Sequence, residues 1–126
     1  MRPQAETERT RAHAAPIMRT LRIMSMVNEE TAFVERAEAE MRRLADRLET
    51  VNDDVECLRS GNVLNVELDD GGSCVVNIQT PMREIWMATK FGGCHFSRGE
   101  DGVWRERRTG RTIDEVVDEH LEKLRG

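Results

Sequence analysis

Residues 73–88 read SCVVNIQTPMREIWMA, and the fold can be argued outward from them. Apolar and polar side chains alternate on either side of Thr80-Pro81, the pattern of two half-buried strands joined at a turn. In the first strand Cys74, Val76 and Ile78 form the apolar set, so Val75, Asn77 and Gln79 point the other way. In the second, Ile85 and Met87 point inward, so Glu84, Trp86 and Ala88 point out. Trp86 therefore shares a solvated face with Asn77 and Gln79, where it buries nothing in the monomer. A tryptophan there does little for stability and is a common interface anchor. The alternative is that residues 89–92 fold over the ring and make it a core residue.

The same period of two extends to both sides. Val55–Arg59, Val63–Leu68, Gly93–Phe96 and Val103–Arg107 read as further strands, divided by Ser60-Gly61, by Asp69-Asp70-Gly71-Gly72 and by Arg98-Gly99-Glu100-Asp101-Gly102. These separators are too short for crossover helices, which predicts an antiparallel meander of about six strands. Helical period flanks it on both sides. Phe33, Ala37, Met41, Leu44, Ala45, Leu48 and Val51 recur at steps of three and four, with Asn28 as the expected N-cap and Glu29-Glu30 in the first turn. At the other end Ile113, Val116, Val117, Leu121 and Leu124 form a second stripe, opened by Thr112 and Glu115 as a capping box. Two amphipathic helices and one sheet predict an α+β two-layer sandwich, with both helices on one face and the other face in water. Phe33, Met41, Leu44, Leu48, Ile85, Val117 and Leu121 are expected in its core.

The chain has 126 residues, enough for one domain, and a formal net charge of −5. The charge is divided unevenly. Residues 1–27 carry five arginines against two glutamates, residues 28–70 thirteen acids against five bases, and the remainder nine of each. The acidic balance points away from nucleic acid, and no apolar run reaches the ~18–20 residues of a membrane span. Cys57, Cys74 and Cys94 form no CxxC pair, which excludes a disulfide framework and a zinc knuckle and fits a reducing compartment. Residues 1–27, basic and free of acids after Glu8, are read as a leader or flexible tail resembling a mitochondrial transit peptide, and 28–126 as the folded domain.

The string Val75–Trp86, VVNIQTPMREIW, followed by Gly93-Cys94-His95-Phe96 and Val103-Trp104, closely resembles the frataxin family. The family pattern is V-I-N-x-Q-T-P-x-x-Q-I-W, then G-x-x-(H/R)-(F/Y), a second tryptophan strand and a terminal helix. The likeness covers Asn28 to Gly126, with two departures: Ile78 where many members carry lysine, and Glu84 where glutamine is usual. The resemblance implies an iron-binding regulator or iron chaperone of iron–sulfur cluster assembly. It would dock through its sheet on the cysteine desulfurase and the iron–sulfur scaffold protein. Asn77, Gln79, Trp86 and His95 are the partner-binding residues so implied. A ferroxidase or iron-storage protein is the alternative. The resemblance further implies a monomer open to iron-driven oligomerisation, in the mitochondrial matrix or, alternatively, the bacterial cytoplasm.

Glu35, Glu38, Asp46, Glu49, Asp53, Asp54 and Glu56 form the candidate iron ridge. Exposed carboxylates suit hard or borderline cations and leave most of the coordination shell to water. Read from the residues alone, the same ridge is a solvated face, with Arg42 relieving part of its repulsion. No residue is assigned as catalytic. Cys94, beside His95, is the cysteine to test for reactivity. His120 reads as structural. Arg105, Arg107, Arg108 and Arg111 form a basic cluster, either solvated or facing an acidic partner.

Overall fold

A computed structural model describes residues 2–126, with side chains from Pro16 onward. The chain divides into a first unit ending at Ala32 and a second, Phe33–Gly126. The helix α1 runs Arg2–Val51, so Asn28 is not its N-cap, contrary to the expectation. The reason is local. Arg19, Leu21, Arg22, Met24 and Met26 are good helix formers, and a cap-type residue starts a helix only where the preceding backbone is non-helical. Within this first unit Ile17, Leu21, Met24 and Val27 are exposed.

In the second unit six strands follow α1: β1 (Val55–Ser60), β2 (Val63–Leu68), β3 (Ser73–Gln79), β4 (Glu84–Thr89), β5 (Gly92–Arg98) and β6 (Trp104–Glu106). They form one antiparallel sheet in chain order, as the short connections require. The helix α2 (Ile113–Arg125) closes the chain. Its cap is as expected: Thr112 Oγ1 accepts from the Glu115 amide at 3.2 Å. The β3–β4 turn is tightened by Arg83 at φ 54°, whose amide donates to the Thr80 carbonyl at 3.1 Å. A non-glycine residue in this left-handed region carries strain.

The architecture is the two-layer α+β sandwich. Phe33, Ala37, Met41, Leu44 and Leu48 of α1 and Ile113, Val116, Val117 and Leu121 of α2 are buried with Val66, Cys74, Val76, Ile85, Met87, Phe96 and Trp104 of the sheet. Phe33 meets Trp104 edge to face, ring centroids 6.0 Å apart. Val51 does not join this core and is 60% exposed. The helix ends there: the backbone and side-chain amides of Asn52 both donate to the Leu48 carbonyl, at 3.1 and 2.9 Å, and the stripe stops at Leu48. The two helices are also joined by charge, through Arg43–Asp114 at 2.9 Å and Arg47–Asp118 at 2.6 Å. Arg125 at the end of α2 reaches Asp54 in the turn after α1 at 2.8 Å.

Candidate docking face and acidic ridge

Register brings the predicted docking residues into one row. Asn77 on β3 pairs with Trp86 on β4, and Trp86 pairs with His95 on β5. The indole and imidazole rings lie stacked, 4.2 Å between centroids and 6° from parallel. Gln79 sits two residues along β3, and its amide nitrogen donates to Asn77 Oδ1 at 2.9 Å. All four side chains face away from the helices, as alternation requires. Two expectations need correction. Trp86 is half-buried rather than bare, because His95 covers one of its faces. Glu84, expected in solvent, is only 5% exposed. It shares the outer face with Trp86 but is covered there: Trp86 Nε1 donates to Glu84 Oε1 at 3.0 Å, and Arg107 and His95 close around it.

The acidic ridge is partly neutralised by cations from elsewhere in the chain. Glu38 accepts from Arg59 on β1 at 2.7 Å, and Asp54 is held by Arg125. The Arg125 guanidinium keeps the Asp54 carboxyl below the usual range. Glu49 Oε1 accepts from the Cys57 amide at 2.8 Å, joining α1 to β1. Glu35, Asp46, Asp53 and Glu56 are exposed. The structure does not draw the seven into one ligand set: among the described residues no three His, Cys, Asp or Glu side chains converge as a metal group. Arg42 is exposed, and the direct ion pairs on the ridge come from Arg59 and Arg125. These are long-range pairings that spacing along one helix does not reveal.

The remaining sequence candidates separate. Cys94 pairs in register with Met87 and packs against the core side, away from the Trp86 row. Burial raises its thiol, pushes Cys57 up to about 11 and Cys74 up to about 12, so all three are protonated thiols at neutral pH. Three of the four arginines of the basic cluster face acids: Arg105 binds Asp101 at 2.9 Å, Arg111 pairs with Glu119, and Arg107 approaches Glu84, while Arg108 is exposed. His120 is buried, its Nδ1 2.6 Å from Thr89 Oγ1. That hydroxyl oxygen accepts from the Phe91 amide at 3.1 Å, leaving its hydrogen for the imidazole.

A six-stranded antiparallel meander with a helix before and after it, carrying a stacked aromatic pair on its open face and acids along α1 and β1, defines a helix–sheet–helix class of α+β domain. A family profile described as a Frataxin-like domain matches residues 26–126, and the chain belongs to the frataxin family. The iron-sulfur cluster assembly protein CyaY of Ralstonia pickettii (strain 12J) is 45% identical over 96 residues, covering 73% of this chain and 84% of that protein. Frataxin from Psychromonas ingrahamii has the same fold, with a TM-score of 0.68 at 22% identity over 75% of this chain and 89% of that one. Trimeric frataxin from the yeast Saccharomyces cerevisiae, complexed with ferrous, gives a TM-score of 0.59 at 27% identity, covering 71% of this chain and 84% of that one.

Proposed function

We propose that this protein is an iron-binding regulator of iron–sulfur cluster assembly. In this reading it docks on the complex of cysteine desulfurase and scaffold protein through the outer face of its sheet. The observation that carries the reading is the Trp86–His95 stack beside Asn77 and Gln79. A half-exposed indole, held flat by its neighbour and bordered by amides, is a pre-ordered anchor that loses little side-chain freedom on binding. Relatives named for iron–sulfur cluster assembly support the pathway, and the ferrous complex of the yeast relative supports the cargo. Glu35, Asp46, Glu49, Asp53 and Glu56, exposed and spread along α1 and β1, suit weak capture of Fe(II) with several waters retained. The 45%-identical relative from Ralstonia pickettii is bacterial, which favours a bacterial cytoplasm over the mitochondrial matrix, with residues 1–27 a basic segment rather than a transit peptide.

The deciding experiment is sulfur transfer by a reconstituted bacterial desulfurase–scaffold mixture. Wild-type protein should change the turnover rate and Trp86→Ala should not. An unchanged rate with wild-type protein, together with saturable Fe(II) oxidation by the protein alone, would replace this reading with the ferroxidase alternative.

A further inference from the structure

The stretch of α1 from Ile17 to Val27 carries seven large apolar side chains, each more than half exposed, from 54% at Val27 to 64% at Met26. A single exposed leucine needs no explanation, but a continuous apolar surface along one helix marks a binding site. At about 100° per residue, Ile23, Val27, Met24, Ile17, Leu21 and Met18 follow one another around an arc of about 220°. Thr20 also lies in this arc. Its hydroxyl donates to the Pro16 carbonyl at 3.0 Å, so it carries no unmet donor into an apolar medium. Arg19 and Arg22 stand on the opposite side. From Arg9 to Asn28 the chain has four arginines and no acid.

Width and charge select the occupant. A helix that pairs with a second copy of itself needs only a narrow apolar seam, with opposite charges along its flanks. Here the arc exceeds half the circumference, and two such helices would set arginine beside arginine with no carboxylate between residues 9 and 28 to balance them. The acidic ridge of another copy supplies the charge but no apolar counterpart, because Glu35, Asp46, Asp53 and Glu56 are exposed carboxylates. A bilayer surface bearing anionic phospholipid supplies both: acyl chains for the arc and phosphates for the arginines. Among the described residues no helix is long and apolar enough to cross a membrane, so the segment would lie in the interface rather than span it.

We propose that residues 17–27 form an interfacial helix that binds the surface of an anionic phospholipid bilayer, with the apolar arc toward the acyl chains and Arg19 and Arg22 among the headgroups. The test is co-sedimentation of the full chain with two kinds of vesicle, phosphatidylcholine alone and phosphatidylcholine with phosphatidylglycerol in equal parts. Wild type should partition into the mixed vesicles and stay in solution with the neutral ones. Leu21→Gln combined with Met24→Gln removes two side chains from the arc while keeping good helix formers, and should lower partitioning at least about tenfold. Arg19→Gln and Arg22→Gln should each lower it about fivefold, and added salt should weaken wild-type binding in the same sense. Leu21 and Met24 are exposed and lie outside the core of Phe33–Gly126, so the urea midpoint should not move in the double variant. Wild-type binding that survives the double substitution would make the contact purely electrostatic and overturn the interfacial helix. Equal partitioning into both kinds of vesicle would overturn the selection for anionic lipid. If wild type binds neither vesicle, the proposal fails; an oligomer in sedimentation equilibrium that the double substitution dissociates would then assign the arc to a second copy of the chain.

Discussion

The inner and outer faces of the sheet are built from alternate residues of the same strands, yet they are held by different physics. On β3 and β4 the inner residues Cys74, Val76, Ile78, Ile85 and Met87 are at most 5% exposed and are ordered by packing against two helices. The outer residues Asn77, Gln79 and Trp86 are half-buried and ordered by one another, through an amide–amide bond, an indole–carboxylate bond and a ring stack. Packing gives the inner face its stability. Lateral hydrogen bonding leaves the outer face ordered but still accessible, which is what a docking surface needs.

The strongest way to break this contrast is to cut into each face and compare. Leu48 is wholly buried under the sheet, and Leu48→Ala should cost about 2–5 kcal/mol of unfolding free energy. Urea titration would show this as a lower midpoint. A loss under about half a kilocalorie would mean that α1 is not docked as the inner-face packing requires. Trp86→Ala should cost the stack on His95, about 0.5–1.5 kcal/mol, and the indole bond to Glu84, about 0.5–1.5 kcal/mol. Its binding to the desulfurase–scaffold complex should weaken by about 2–4 kcal/mol, read by titration calorimetry. Equal effects of the two substitutions on stability would erase the distinction between the faces.

The two faces also differed in how much of them could be read from residues alone. The inner face was legible because it depends on periodicity: two for Cys74, Val76 and Ile78, and three-to-four for Phe33, Met41, Leu44 and Leu48. Strand ends fell within one or two residues for the same reason. The outer face was legible only as a direction. Alternation placed Glu84 beside Trp86, but its burial depends on His95 from the neighbouring strand and Arg107 beyond the end of β6. The ridge shows the same limit, since Arg59 and Arg125 reach it from 21 and 71 residues away along the chain. The start of α1 was hidden for another reason: Asn28 carries a cap signal that the helix formers before it override. Arg83 gives no sequence sign of its positive φ, because glycine is the usual marker of that conformation.

A smaller effect comes from pH, and it probes the inner face at its rim. Burial, above all, lowers the affinity of the His120 imidazole for a proton, with Lys123 adding to the effect. The unfolded chain therefore binds the proton more readily than the folded one. Stability should be complete above the ordinary histidine value of about 6.5 and should decline as pH falls through that value toward the depressed one. Asp54, Asp101 and Glu119 are shifted in the same direction: as carboxyls held low by arginine or lysine, they contribute above their unfolded values and are lost only in more acid solution. Melting curves between pH 5.5 and 7.5 should thus isolate the histidine. His120→Gln should flatten that dependence, and a wild-type melting temperature that rises on acidification across this window would contradict the buried neutral imidazole.

The smallest expected effect sharpens the comparison at the sheet's acidic edge, where Arg59 of β1 holds Glu38 of α1. An ion pair of this exposure is worth about 0–1 kcal/mol, so Arg59→Gln should barely move the urea midpoint. Its consequence for iron should be larger than its consequence for stability. Arg59 neutralises a carboxylate of the proposed ridge, so removing it frees Glu38 and makes the local field more negative. Fe(II) should then bind more tightly, while reversing Glu38, Asp46 and Glu49 to lysine together should weaken it with the fold intact. Calorimetry under anaerobic conditions, with paramagnetic broadening of residues 35–56 as the locator, distinguishes the cases. If Arg59→Gln leaves iron affinity unchanged and the broadening falls outside that segment, the ridge is a solvated face and the iron is held elsewhere. If affinity rises and the broadening concentrates near Glu38, the cation that the fold itself places on the ridge is a tuning element for the cargo.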